Sequence, residues 1–250
     1  MRANGVLLVP LLALSALALT ACSTTVTGGT AQGRPLSASH AAGPGSTSTA
    51  AGNGVDCRYT VPTETPDANT KAATKDVGVP PAKARNAGKA VMRLTTNLGP
   101  IVVDMDAKAA PCAVASFNYL AGKHFFDNTK CHRLTTAGIW VLQCGDPSAT
   151  GYGGPTYRYA EENLTVPYTR GVVAIANTGE PASSASQFFI NYKDNTNLDP
   201  LYTVLGTVTT GMDIVDKVAA GGATPSDPNS PSDGTPKVEI VLQQVTVSYA

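Results

Sequence analysis

The chain is short of charge. Asp, Glu, Lys and Arg make up 14% of its 250 residues and balance at 18 acidic against 18 basic. That sparseness suits a small-residue-rich envelope protein. No run of Lys or Arg occurs, so the basic footprint of a nucleic-acid-binding surface is missing and no nucleic acid is expected as a partner. No Cys-X-X-Cys occurs either, which takes away the dithiol redox motif and the usual start of a zinc site. A rival zinc set of Cys131, His132, Cys144 and His124 meets a further objection. Adjacent Cys131 and His132 on a strand point to opposite faces. No metal and no cofactor is expected.

What apolar length there is stands at the start. Arg2 precedes an apolar run from Val6 to Leu19, too short and too early for an ordinary spanning helix. It ends in Leu19-Thr20-Ala21-Cys22, which resembles the lipobox of bacterial lipoproteins. The resemblance implies a signal peptide over 1–21, acylation (palmitate among the chains) of Cys22, and a protein held on the outer face of a cell membrane without crossing it. Removal of Arg2 with the signal leaves a net charge of about −1. Residues 22–54 are Ser, Thr, Gly and Ala with hardly a bulky apolar side chain, too little to offset ordering entropy, so a disordered tether is expected there. His40 falls in that tether and is expected to be solvated. Over 55–88, Pro62, Pro66, Pro80 and Pro81 predict an extended, partly ordered segment lying against the domain that follows.

From residue 89 the pattern becomes that of a folded domain. Strands are expected over 91–97 and 101–105 with a turn at Asn97-Leu98-Gly99-Pro100, then over 171–176, 187–191, 203–208 and 238–249. Pro111 at a tolerated first-turn position opens a helix over 110–121, with Val114, Phe117 and Leu120 on its core face. A second helix is expected over 211–219. Such a mainly β pattern suits a closed barrel, which removes exposed edges, and also permits a sandwich.

The central stretch is Cys131-His132-Arg133-Leu134, a short loop, then Trp140-Val141-Leu142-Gln143-Cys144-Gly145-Asp146-Pro147. Alternation places Val141 and Gln143 on one face of the second strand. The grouping holds a guanidinium, an amide and an apolar side chain, with no nucleophile and no acid–base pair. Its chemistry is therefore hydrogen bonding to something already apolar.

These residues resemble the strand pair of the cyclophilins, the peptidyl-prolyl cis-trans isomerases. Phe117-Asn118-Tyr119-Leu120, Phe125-Phe126-Asp127-Asn128-Thr129, Gly151-Tyr152-Gly153-Gly154-Pro155, Ile175-Ala176-Asn177 and Ser186-Gln187-Phe188-Phe189-Ile190 follow in family order, as does 198–206. The resemblance covers 89–250. It implies an eight-stranded antiparallel barrel capped by two helices, and an isomerase that acts on proline-containing exported polypeptides as they fold. A chaperone-like binding module with little catalysis is the alternative.

By the same resemblance Arg133 is the catalytic donor. Gln143 orients it and meets substrate backbone, and Asn177 and Ala176 pair with substrate main chain. Val141, Phe189, Leu198 and Tyr202 line a proline pocket, with Gln187 at the rim. Tyr152 gates a secondary pocket for the residue before X-Pro, and His132 is structural, packed beneath the sheet. The His-Arg to Gln spacing is two residues longer than the family's, which leaves Trp140 or Ile139 for one pocket position; counting back from Gln143 favours Trp140. Val141 stands where methionine is common, Asn197 where many members have tryptophan and Tyr202 where they have histidine. Weak cyclosporin binding and a monomer are expected.

Four cysteines remain beyond Cys22, allowing two disulfides in three connectivities. Cys131 and Cys144 flank the hairpin. Their pairing would leave Cys57 to staple the proline-rich segment to Cys112.

Overall fold

The computed structural model describes residues 54–63 and 68–249. The signal segment, Cys22 and nearly all of the expected tether lie outside the described residues.

In chain order the elements are β1 (Gly54–Asp56), α1 (Ala68–Ala73), β2 (Lys83–Arg85), β3 (Ala90–Thr96), β4 (Gly99–Met105), α2 (Pro111–Gly122), β5 (Thr129–Lys130), β6 (Arg133–Thr135), β7 (Val141–Cys144), β8 (Val172–Ile175), β9 (Phe188–Asn191), β10 (Val204–Thr210), α3 (Met212–Gly221), β11 (Ala223–Pro225), β12 (Asp233–Pro236) and β13 (Val241–Tyr249). β1 and β2 pair with each other, and the other eleven strands form one sheet in the order β11-β12-β6-β7-β9-β8-β10-β4-β3-β13-β5.

The domain is mainly β, as expected, but two particulars differ. Three helices stand among the described residues where two were expected. The sheet is an open row, not a closed eight-stranded barrel, because no ladder joins its ends. The break has a local cause at Cys131-His132. There the chain leaves β13 for β7, with Cys131 N–H donating to Ile240 O at 3.1 Å and His132 N–H to Gln143 O at 3.0 Å. One extended stretch is thereby split into β5 and β6 with different partners.

The central strands are buried on both faces, which is why they read as continuous apolar runs. Leu142, Val173, Ile175, Phe188, Ile190 and Leu205 enter the main core, where Phe188 meets Phe117 of α2 edge-on at 5.8 Å. The alternate residues Val141, Val172, Ala174, Phe189 and Val204 form a second apolar cluster on the opposite face, joined by Tyr168. This outer cluster is where the site lies.

α2 carries Pro111 at its start and has no side-chain cap from its own N-cap residue. Glu162 serves instead, accepting from the Cys112 and Ala113 N–H groups at 3.2 and 2.9 Å.

The segment before residue 89 is more structured than its prolines suggest. It contains α1 between Pro66 and Pro80, and a Cys57–Cys112 disulfide fastens it to α2. Tyr59 stacks edge-on against Tyr157 and Tyr159 and donates its hydroxyl to Cys112 O at 2.7 Å. The second disulfide is Cys131–Cys144. It takes both sulfurs of the rival zinc set out of play.

Candidate active site

Register builds the site. Arg133 pairs across β6 and β7 with Gln143, Gln143 with Phe189 on β9, Phe189 with Ala174 on β8, and Ala174 with Val204 on β10. One row thus crosses the sheet from cation to amide to aromatic ring to small apolar residues. All of it lies on the outer face.

A cavity of about 120 Å³ opens over this row, lined by Arg133, Ile139, Val141, Gln143, Ala176, Asn177, Phe189, Leu198 and Tyr202. Its floor is aromatic. Phe189 meets Tyr202 edge-on at 5.4 Å, and Tyr168 lies 6.3 Å from Phe189. The Tyr168 hydroxyl donates to Tyr202 O and accepts from Tyr202 N–H, each at 2.9 Å, which fixes the loop that carries Tyr202.

A chain of polar side chains runs along the rim. Nε of Arg133 donates to both oxygens of Asp233 at 2.8 and 3.1 Å, and Nη2 to Oδ2 at 2.7 Å. Nη1 donates to Gln143 Oε1 at 3.0 Å. Gln143 Nε2 donates to Gln187 Oε1 at 2.8 Å, and Gln187 Nε2 donates to the carbonyls of Gly151 and Gly153 at 3.0 and 2.8 Å. The hydrogen bond to Asp233 holds the Arg133 guanidinium above the usual arginine range, against the opposing effect of burial.

The glycine-rich loop, residues 151–155, is anchored from below by Asp146. Its carboxylate accepts from Ser148 N–H and Oγ–H, both at 2.7 Å, and from the N–H groups of Gly151 and Gly153 at 2.6 and 3.1 Å. Burial alone raises this carboxylate's pKa, but the bonds from Ser148, Gly153 and Gly151 outweigh it and hold the group below its ordinary range. A Cβ on Gly153 would lie 1.8 Å from Asp146 Oδ1, so only glycine fits there.

His132 lies beside this loop, where a Cβ on Gly151 would stand 4.0 Å from its Cδ2. Burial pushes its pKa down, and Arg133 adds to that, while Asp146 pulls the other way.

Most residues singled out from the sequence come together here, with two adjustments. Ile139, not Trp140, faces the cavity. Residues 139, 141 and 143 share a strand parity, whereas Trp140 turns to the main core beside Tyr192, with Lys193 Nζ 3.8 Å from its ring. At the strand end, Ala176 N–H already donates to Gln187 O at 2.9 Å, and Asn177 Nδ2 donates to Leu201 O at 2.8 Å. Tyr152 is exposed on the loop, at the mouth of a neighbouring cavity.

Two further contributors, Asp233 and Tyr168, carry no local sequence signal. Asp233 stands a hundred residues from Arg133 with no motif around it. Tyr168 sits in a segment that reads as loop. Asp146 was legible as the Asp of Gly-Asp-Pro, but its role shows only in the loop bonds.

A family model described as "Cyclophilin type peptidyl-prolyl cis-trans isomerase/CLD" matches residues 91–247. The chain belongs to the cyclophilin family. Among cyclophilins it is similar to the probable peptidyl-prolyl cis-trans isomerase B of Mycobacterium leprae, 38% identical over 214 residues, covering 77% of this chain and 66% of that protein. The protein of the same name from Mycobacterium tuberculosis is 38% identical over 192 residues, or 68% of this chain and 60% of that one. This chain therefore spans somewhat under two thirds of those relatives' length. In structure it is similar to a crystallised cyclophilin type peptidyl-prolyl cis-trans isomerase of Cryptosporidium parvum, with 26% identity, a TM-score of 0.56, and coverage of 65% of this chain and 99% of that one. A second structure of that cyclophilin, solved in the presence of the dipeptide Ala-Pro, matches with a TM-score of 0.55 and covers 64% of this chain and 99% of that one.

Proposed function

We propose that this cyclophilin is a peptidyl-prolyl cis-trans isomerase that accelerates X-Pro rotation in exported polypeptides, with Arg133 as its catalytic residue. The observation that carries the reading is a fixed guanidinium at the edge of a small apolar cavity, with an amide holding it there.

Rotation about a peptide bond faces a barrier of roughly 18–20 kcal/mol, because the nitrogen lone pair is delocalised into the carbonyl. X-Pro bonds populate cis appreciably yet exchange over tens to hundreds of seconds. No covalent step is needed. The proline ring sits in the cavity against Phe189, Val141 and Leu198 while the carbonyl side turns. In the twisted amide the nitrogen is pyramidal and basic, so a donor aimed at it binds the transition state and neither planar form. Arginine has five N–H groups and does not lose its charge at working pH. Asp233 and Gln143 engage three of them, and two stay free for the prolyl nitrogen. Substrate main chain would add as a strand at the strand end that holds Ala176 and Asn177. Relatives named as isomerases and a cyclophilin crystallised with Ala-Pro lend support.

In the same reading residues 1–21 are a signal peptide. Cys22 carries the lipid anchor, residues 22–54 are the tether, and the domain works as a monomer at the extracytoplasmic membrane face. Metabolic labelling with a palmitate analogue tests this: label lost in Cys22→Ser supports it, and label retained or never incorporated refutes it.

A second reading, a proline-peptide-binding module with little catalysis, is favoured by one observation. The bidentate carboxylate of Asp233 offsets part of the charge on Arg133. Exchange of an Ala-Pro test peptide with the full chain, followed by NMR, separates the two. Accelerated exchange supports the isomerase; binding without acceleration supports the module.

A further inference from the structure

A second cavity, of about 190 Å³, adjoins the first and shares Gln143, Ala176 and Asn177 with it. Part of its wall comes from outside the region of the family match. Thr70 in α1 and Thr74 just after it line one side, ahead of residue 91 where that match begins. The segment that carries them is fastened at several points. Thr74 bridges Gly154 in parallel, and Lys75 N–H donates to Gly154 O at 3.0 Å. Thr60 and Arg158 exchange both main-chain hydrogen bonds, at 2.8 and 2.9 Å, and the Cys57–Cys112 disulfide ties the whole to α2.

Arg158 is the one charged residue that lines this cavity among the described residues. It is half-buried. It takes part in none of the ion pairs found among the described residues. Two carboxylates on adjoining segments are engaged elsewhere. Glu161 accepts from the N–H groups of Ala182, Ser183 and Ser184, and Asp76 accepts from Gly78 N–H and the Thr156 hydroxyl. A partly desolvated cation without a counter-charge is unfavourable, and a ligand carboxylate relieves that cost.

An extended chain repeats its side-chain direction every second residue. With proline in the first cavity, the adjoining one, which Tyr152 helps to line, answers to the secondary pocket that the family resemblance gives to the residue before X-Pro, two places from proline. We propose that this cavity selects an acidic side chain at that distance from proline, with Arg158 and the N-terminal segment as the specificity determinants. The proposal rests on the isomerase reading for the placement of proline.

The test is the peptide series Xaa-Ala-Pro-Ala-Xaa with Xaa as Glu, Gln or Lys, presented to the full chain. Exchange rates and KM are followed by NMR. The Glu peptide is expected to show a KM lower than the Gln peptide by about fivefold, and the Lys peptide a higher one, as for a partly exposed ion pair. Arg158→Gln removes the difference between Glu and Gln, and Arg158→Glu reverses the order. Thr74→Lys, which adds a cation on the wall built by the N-terminal segment, steepens the preference. Equal KM values for the three peptides, or a Glu preference that survives Arg158→Gln, overturn the proposal and leave the isomerase reading intact. If no peptide is isomerised, that reading falls. Dissociation constants of the same peptides, read from amide shifts, then decide the charge preference by the same criteria.

Discussion

Arg133 and Asp233, a hundred residues apart in the chain, meet through three hydrogen bonds of 2.7–3.1 Å that lock the guanidinium plane over the apolar cavity. Each of the pair's side chains keeps more than a third of its exposure, so its worth to stability is small, about 1 kcal/mol or less. Its effect falls on orientation. A free arginine side chain carries about 2 kcal/mol of rotamer entropy, and the carboxylate removes much of it before substrate arrives.

Asp233→Ala is therefore expected to lower kcat by about tenfold with little change in KM, since about 1.4 kcal/mol of transition-state preference is a factor of ten. Steady-state exchange measurements on an Ala-Pro peptide check it. A kcat that rises would mean that relief of charge neutralisation outweighs lost orientation.

The two disulfides close loops of different length, with sequence separations of 55 and 13. Chain entropy gives about 4 kcal/mol for the longer and about 3 kcal/mol for the shorter. Cys57→Ser with Cys112→Ser is expected to lower the Tm more than Cys131→Ser with Cys144→Ser, by calorimetry. The first pair of changes also frees the segment that walls the second cavity.

Asp146 and His132 both have folded-state pKa values below their ordinary ones. The unfolded chain therefore takes up protons first on acidification, and stability falls with pH in both cases. The His132 contribution is complete above about pH 6.5 and is lost as pH drops through its folded value; that of Asp146 is complete above about pH 4 and is lost below that. Urea titrations across pH 3–8 check this. His132→Phe is expected to flatten the upper part of the curve and to leave the lower part in place.

Cyclosporin is expected to bind weakly. Asn197 is exposed where many cyclophilins carry tryptophan, so a large apolar contact is absent at that position. Calorimetry that gives a nanomolar Kd would contradict this.

The main features of this domain were legible because strand alternation and helix spacing are local. The β3–β4 hairpin, α2 and α3 lie where period and turn residues place them. Val141 and Gln143 share a face because two-residue periodicity requires it. That same parity names Ile139 as the pocket residue; counting along a lengthened loop pointed to Trp140 instead, because an alignment offset carries no facing. Open sheet ends were not legible. The split of one extended stretch into β5 and β6 depends on which strand each half meets, and no local residue pattern encodes it. Asp233 and Tyr168 were invisible for a related reason, since each acts through a long-range contact. The four prolines before residue 89 hid α1, which stands in the gap between Pro66 and Pro80 and is held by tertiary bonds.

Arg133 is tested most directly by kcat/KM for an Ala-Pro peptide with wild type, Arg133→Ala and Arg133→Lys side by side. Loss of about a hundredfold or more in Arg133→Ala, the size seen when a single preorganised donor is removed, is the expected result. Partial retention in Arg133→Lys is expected as well, since a point charge keeps attraction without the fork. Rates within about twofold of wild type in Arg133→Ala would contradict the mechanism, because the donor would then contribute almost nothing to the barrier.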